Sequence, residues 1–125
     1  MLDKKVLEPI ELAEKIIKVL DARKGHDIKL LHVTEKTVLA DYFIICGGNS
    51  NTQVKGLCDE VEYKIGLEGV SPTHVEGLDS AQWALMDYSS VIVHIFNTEA
   101  RSFYNLEKLW AEAEEVDISH LLTED

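Results

Sequence analysis

The stretch DSAQWALMDYSSVIVHIF, residues 79–96, contains the residue types of an acid–base site. Its two aspartates and the imidazole of His94 could transfer protons if the fold brought them together. The same stretch carries Trp83 and Tyr88, and tryptophan and tyrosine are also common anchors of protein–protein interfaces. The sequence therefore leaves two alternatives here, a catalytic site and a surface that binds another macromolecule.

A glycine-rich turn, CGGNSNTQ at residues 46–53, could hold phosphate with backbone N–H groups if it joins a strand to a helix. It has neither the lysine of a P-loop nor the spacing of a dinucleotide-binding loop. A nucleotidyltransferase would also need paired carboxylates for Mg²⁺, and no D-x-D or D-x-E pair follows on a strand. We expect a turn with a helix cap, and we keep a nucleotide-binding or nucleotidyltransferase-type domain that uses the Gly47-Gly48 turn as the alternative function.

Metal and thiol chemistry have less support. His74 and His94 fall on predicted strands and could meet in space, where Glu76 and Asp87 could join them as oxygen ligands. No histidine or cysteine pair, however, has the spacing of a usual metal site. The two cysteines form no CxxC pair, and both occupy apolar positions, so we expect small core residues. We predict no metal and no cofactor.

Hydrophobic periodicity predicts the elements that would position these residues. Helices are expected at residues 9–23, from the 47–51 turn to Gly69, and at 97–110; strands are expected at 27–33, 42–46, 73–77, 82–88 and 91–96. The order αββαβββα predicts a single α/β domain with a mixed sheet of about five strands and helices packed on it. The wholly apolar strand at 42–46 is typical of one buried on both faces.

The predicted hairpin at 82–96 has two faces. Alternation along its first strand places Trp83 and Asp87 on one face and Met86 and Tyr88 on the other. Because Asp87 shares the face of Trp83, we expect that face to reach water at one end. Trp83 is then either a core residue or a binding anchor. We expect Tyr88, at the turn, to be more exposed than Trp83.

Charge limits the partners that the chain can take. The 125 residues carry a net charge of −11 and contain no basic patch, so we expect no direct nucleic-acid binding. An acidic surface suits a basic protein partner. No apolar run is long enough to span a bilayer, and the N-terminus lacks the apolar core of a signal peptide, so we expect a cytoplasmic protein that does not enter membranes.

The acidic segment 111–125 is expected to be a flexible tail that follows a domain at residues 1–110. Its acids are not balanced by any lysine or arginine. The apolar residues Ile118, Leu121 and Leu122 could nevertheless dock onto the domain.

Short motifs occur in a fixed order between Asp27 and Trp110: ADYF at 40–43, Gly48 and Ser50 in the loop, EG at 76–77, S-x-x-W-x-L-x-D-Y at 80–88, VIVHIF at 91–96 and E-x-R-x-F-Y-x-L-E-x-L-W at 99–110. Each motif alone is weak, but their order and spacing are specific. With them the chain resembles the ribosomal silencing factor family, also called the Iojap family.

The resemblance implies a regulator and not an enzyme. Family members bind the large ribosomal subunit at its fourteenth protein, block joining of the small subunit sterically and lower translation when nutrients are short. Their fold resembles nucleotidyltransferases without the catalytic acids, and they are often homodimers when free. We therefore expect a cytoplasmic anti-association factor; a dimeric scaffold with an unrelated protein partner is a further alternative.

The resemblance also implies candidate partner-binding residues: Trp83, Met86, Asp87 and Tyr88 in the hairpin, and Glu99, Arg101 and Tyr104 at the start of the last helix. Trp83 and Tyr88 match family positions that contact the ribosomal partner, and a surface role is expected for the three residues of the helix. Gly47 and Asn49 depart from the threonine or serine that is common in the family, which argues against a special role of that loop.

Overall fold

A six-stranded mixed sheet organises residues 7–123, which are the residues that this computed structural model describes. The strands are β1 (His26–His32), β2 (Tyr42–Gly48), β3 (His74–Glu76), β4 (Trp83–Asp87), β5 (Val91–Asn97) and β6 (Glu114–Val116). Across the sheet their order is β3-β4-β5-β2-β1-β6. Strands β2 and β5 are parallel, and the other neighbouring pairs are antiparallel.

Helices pack on both faces of this sheet. They are α1 (Pro9–Ala22), α2 (Asn51–Gly66), α3 (Thr98–Tyr104) and α4 (Leu106–Leu109), and a 3₁₀ turn follows at Ser119–Leu121. The predicted single α/β domain with a mixed sheet is confirmed. Within the described residues, no helix is long and apolar enough to cross a membrane.

The two long helices, α1 and α2, cover the first face of the sheet because each has a continuous apolar stripe. The stripe of α1 is Leu12, Ala13, Ile16, Ile17 and Leu20, and that of α2 is Val54, Leu57, Cys58, Val61 and Ile65. Burial of one such leucine or isoleucine contributes about 2 kcal/mol. Ser50 caps the N-terminus of α2, since its side-chain Oγ accepts a hydrogen bond from the N–H of Gln53 at 3.0 Å.

Strand β2 is buried on both faces, as its apolar sequence predicts. Ile44 and Cys46 face the core under α1 and α2, whereas Phe43 and Ile45 belong to a second core on the opposite face. This second core is smaller, and the short helices α3 and α4 lie over it with Ala100 and Leu106 buried.

The acidic C-terminal segment departs from the prediction. Residues 114–116 form β6, which pairs with β1 from Leu30 to His32 and adds a sixth strand. Ile118 is buried, and the N–H and hydroxyl of Thr123 both donate to Asp21 Oδ2, at 2.8 and 2.7 Å. The segment is therefore part of the folded domain as far as Thr123. The predicted domain covers residues 1–110 and the predicted tail covers residues 111–125. Residues 1–6 of the first and 124–125 of the second lie outside the described residues.

The last predicted helix is also different, because it breaks in two. Asn105 has left-handed backbone angles, φ 47° and ψ 54°, and separates α3 from α4. Two apolar residues on either side of the break are exposed: Phe103 is 81% exposed and Leu109 is 76% exposed. These two side chains therefore do not contribute to the core.

Candidate partner-binding site

The second face of the sheet carries a cluster of aromatic rings that reaches the surface. We call it the aromatic face, and its rings belong to Phe43, Trp83, His94, Phe96, Tyr104 and Trp110. Helices α3 and α4 cover it only in part, so the side chains of Trp83, Leu85 and Trp110 stay partly exposed. Because this face is apolar and incompletely covered, it is a candidate interaction surface.

Trp83 is the centre of the aromatic face. Its ring stacks on Phe96 with centroids 5.0 Å apart, and Tyr104 lies against it at 4.8 Å. The indole Nε1–H donates to Nδ1 of His94 at 3.2 Å. The sequence left open whether Trp83 is core or anchor; the ring is partly buried and firmly held, yet part of it still faces solvent. A rigid aromatic ring of this kind loses little entropy when it binds a partner.

The local backbone fixes the position of Trp83. Gly77 has φ +85° and lies so close to the carbonyl of Trp83 that a Cβ would overlap the oxygen. Glycine is therefore required at this turn. In the sheet, Trp83 pairs with Phe96 and Leu85 pairs with His94, which brings these side chains onto one face.

His94 is buried and neutral. It is 5% exposed, and burial lowers the pKa of its imidazole from 6.5 to about 4. Since Nδ1 accepts from Trp83, the proton of the neutral ring lies on Nε2, and this atom has no hydrogen-bond partner among residues 7–123.

The residues of the possible acid–base site are not brought together. Asp87 Oδ1 accepts the N–H of Ser89 at 2.7 Å and shapes the hairpin turn, where Ser89 has φ 72°. Asp79 is exposed, and in the described part of the chain neither aspartate hydrogen-bonds to His94. A neutral buried imidazole without a carboxylate is a poor general base. This arrangement favours the binding surface over the catalytic site.

Two of the predicted partner-binding residues are buried. Met86 is fully buried and Tyr88 is 6% exposed, so the expectation that Tyr88 would be more exposed than Trp83 is wrong. The alternation predicted for this strand holds, but α2 covers the face that these two residues share with Ala84. Burial raises the pKa of the Tyr88 hydroxyl well above its usual value. Both side chains are covered in this fold, and their contact with a partner stays a prediction.

Arg101, for which we expected a surface role, is mostly buried and makes contacts that stabilise the fold. Its side chain is 12% exposed and forms two hydrogen bonds to Glu107, at 3.2 and 3.1 Å. Lys29 joins the same carboxylate at 3.2 Å. Burial raises the pKa of Glu107, but the bonds and charges of Arg101 and Lys29 outweigh burial and hold this pKa below its usual value. The network ties α3 and α4 to strand β1.

Glu99 and Tyr104 are at the surface as predicted, beside an open groove of about 380 Å³ between the end of β5 and α3. The groove is lined by Gln82, Asn97, Glu99, Ala100, Phe103 and Tyr104. Sequence reasoning missed the exposed ring of Phe103. The spacing of Glu99 and Phe103, four residues apart on one helix face, could have indicated a polar exposed side for α3.

The glycine-rich loop is filled by the protein itself. A Cβ at Gly47 would lie 2.5 Å from the His26 ring, and one at Gly48 would lie 3.1 Å from a methyl of Val54. A cavity of about 400 Å³ beside the loop contains Arg101, whose donors already bind Glu107. Both glycines are therefore explained by close packing and not by a bound phosphate.

Metal and thiol sites find no support in residues 7–123, where no cluster of potential metal ligands occurs. His74 bonds to Glu76 at 2.5 Å on the edge strand β3, whereas His94 is buried in β5. Cys46 and Cys58 are buried core residues as expected, and burial raises the pKa of both thiols to about 12. Thiols with such pKa values are poor nucleophiles.

Comparison with known proteins confirms the resemblance. The family model described as "Ribosomal silencing factor during starvation" matches residues 6–125. The ribosomal silencing factor of Bacillus subtilis is 40% identical over 98 residues, which are 78% of this chain and 83% of that protein. A crystal structure of a Chromobacterium violaceum protein is similar with a TM-score of 0.82 and 33% identity, and the match covers 90% of this chain and 93% of that one.

A more distant mouse relative, named "Mitochondrial assembly of ribosomal large subunit protein 1", is 26% identical over 103 residues. The match covers 78% of this chain and 44% of the mouse protein. Because the family model spans almost the whole sequence, this chain belongs to the ribosomal silencing factor family.

Proposed function

We propose that this protein is a cytoplasmic anti-association factor that binds the large ribosomal subunit through its fourteenth ribosomal protein. Bound there, it blocks joining of the small subunit sterically and represses translation when nutrients are limiting. Family membership supports a ribosomal role, and the name of the mouse relative points to the large subunit. We further propose that the free protein is a homodimer and that its fold is related to nucleotidyltransferases.

The aromatic face is the observation that carries this proposal. One face of the sheet is sealed by α1 and α2, whereas the other presents partly exposed aromatic rings around Trp83. Aromatic anchors that are already packed against their neighbours are the usual hot spots of protein interfaces. A steric block needs a rigid protein surface and no chemical step, which fits a site without an assembled acid–base pair.

The net charge selects the kind of partner. At −11 the chain repels phosphate, so we expect it to bind a protein-covered part of the ribosome and not naked ribosomal RNA. Ribosomal proteins that are basic offer the opposite charge, and such complementarity speeds encounter. The filled glycine loop argues against the nucleotide-binding alternative.

Titration calorimetry with the purified fourteenth protein of the large subunit tests this proposal directly. We expect one-to-one binding per protomer that weakens as salt is raised, because charges contribute to the encounter. The proposed partner would be contradicted if the fourteenth ribosomal protein gave no heat of binding while a different ribosomal protein or RNA bound tightly.

A further inference from the structure

The groove beside α3 is a surface feature that borders the aromatic face and shares Tyr104 with it. We call it the α3 groove and define it by Gln82, Asn97, Glu99, Ala100, Phe103 and Tyr104. It opens next to Trp83, since Tyr104 lies both in the groove and against the Trp83 ring at 4.8 Å. The α3 groove is therefore continuous with the surface proposed to bind the ribosome.

Phe103 is exposed but held in place. Its ring is 81% exposed, yet it meets Tyr104 edge to face at 5.1 Å, and Tyr104 in turn packs on Trp83. A chain of contacts thus runs from the buried Phe96 through Trp83 and Tyr104 to the surface. Packing in the core does not explain why this ring is exposed. A ligand that stacks on the flat side of the phenyl ring would explain it.

Glu99 sets the charge of the groove. It precedes Phe103 by four residues, so both side chains lie on one face of α3. Glu99 is exposed and pairs with no cation within residues 7–123, unlike Glu107, which binds Arg101 and Lys29. An unpaired carboxylate beside an aromatic ring repels anions and attracts cations.

The groove also offers a neutral acceptor. The side-chain amide of Gln82 makes no hydrogen bond to the rest of the described chain, whereas Asn97 is already bound to Asn51 Oδ1 at 2.7 Å and to the N–H of Ala100 at 2.8 Å. Free acceptors therefore come from Glu99 and Gln82, and the aromatic rings flank them. A planar cation with several donors fits such a set.

We infer that the α3 groove binds an arginine side chain of the ribosomal partner. The guanidinium would stack on Phe103 and donate hydrogen bonds to Glu99 and Gln82. Lysine fits less well, because its compact ammonium cannot stack as a plane. This inference rests on the proposed function for the identity of the partner, but the affinity of the groove for arginine does not depend on it.

A second copy of this chain is a poor source of that arginine. Two protomers carry the same charge of −11, so charge favours contact of this groove with a basic ribosomal protein over contact with a second copy. Within the described chain, Arg101 is engaged with Glu107 and Arg23 with Glu60 at 3.4 Å. The charge balance therefore favours a basic protein as the occupant.

Nuclear magnetic resonance titration of the whole protein tests the groove itself. The probe is N-acetyl-arginine methylamide, and N-acetyl-citrulline methylamide is the uncharged control of the same shape. We expect the arginine probe to shift the side-chain amide of Gln82 and the ring of Phe103, and the citrulline probe to shift them much less. The Glu99→Gln variant should lose the difference, and Glu62→Gln, which removes an exposed charge of α2 on the opposite face, should keep it. Equal shifts with both probes, or no effect of Glu99→Gln, would overturn the inference.

Binding to purified large subunits tests whether the partner uses the groove. We expect Glu99→Gln and Phe103→Leu each to weaken binding about threefold, the size of an exposed cation–π or charged contact, while Glu62→Gln changes nothing. Equal affinities for all variants would show that the groove does not contact the ribosome.

If the wild type fails to bind subunits at all, the proposed function is wrong, and the arginine titration still decides whether the groove binds arginine. Self-association that Glu99→Gln abolishes would overturn the assigned occupant.

Discussion

Trp83 and Tyr88 are both hairpin aromatics, but their environments predict opposite mutational phenotypes. Tyr88 is buried under α2, so Tyr88→Ala should lower the free energy of unfolding by about 3 kcal/mol or more. Trp83 is partly exposed, so Trp83→Ala should cost less stability but weaken binding to large subunits at least tenfold. Urea denaturation and subunit binding measured on both variants separate the two roles. Loss of folding in Trp83→Ala with normal folding in Tyr88→Ala would contradict this assignment.

His94 predicts how stability depends on pH. Burial lowers its folded-state pKa to about 4, whereas the unfolded chain titrates near the ordinary value of 6.5. Above that value neither state takes up the proton and stability is constant. As pH falls from 6.5 towards 4, the unfolded state is protonated first, so the free energy of unfolding should fall by about 3 kcal/mol in total.

The His94→Gln variant is the matched control, because the glutamine oxygen can still accept the indole N–H of Trp83. Urea denaturation between about pH 7 and 4 covers the interval in which His94 is expected to titrate. Over this interval the free energy of unfolding should depend less on pH in this variant than in the wild type. If both proteins respond to pH alike, other groups dominate and His94 is not the cause.

At the scale of elements, the Arg101–Glu107 pair holds α3 and α4 against the sheet. Arg101→Met should destabilise the protein by about 2 kcal/mol, because Glu107 loses two hydrogen bonds in a poorly solvated position. A double-mutant cycle with Glu107→Gln measures the coupling by chemical denaturation. Strictly additive single effects would show that the pair contributes nothing of its own.

Strand β6 gives a second test at this scale. A chain that ends after Trp110 loses β6, which is one of the two strands that pair with β1, and also the buried side chain of Ile118. Its melting temperature should therefore fall. Amide hydrogen exchange at Leu30 and His32 should become faster in the shortened chain. A flexible tail would predict no change in either measurement. Ile118→Ala, a milder change, should also lower the melting temperature and speed amide exchange, but by less than the truncation.

These elements show what the sequence could predict. The apolar stripes of α1 and α2 and the run at residues 42–46 determine their own burial, so these two helices, the central strands and the mixed sheet were predicted correctly. Periodicity also placed Trp83 on the correct face of β4. The prediction for Tyr88 failed because exposure depends on which face α2 covers, and alternation within one strand does not contain that information.

The remaining errors have similar causes. Strand β6 has only three residues, Glu114–Val116, and is too short and acidic for a hydrophobic pattern; its conformation comes from pairing with β1. The break at Asn105 follows from a left-handed residue that is not glycine, which no periodicity reveals. Arg101 was expected at the surface because its partner Glu107 lies beyond that break.

The whole molecule is asymmetric in a way that fits a steric factor. Long helices seal one face of the sheet, and the other face presents rigid aromatic rings bordered by the α3 groove. A net charge of −11 repels RNA phosphate and attracts basic protein. Shape and charge together are what we propose that this fold offers to the ribosome.

Subunit joining is the most direct test of the central claim. Purified large subunits are incubated with the protein, small subunits are then added, and joined particles are measured by sucrose-gradient sedimentation. We expect the wild-type protein to travel with large subunits and to abolish joined particles, and Trp83→Ala to stay near the top of the gradient and allow joining. A wild-type protein that remains at the top while joining proceeds normally would contradict the account.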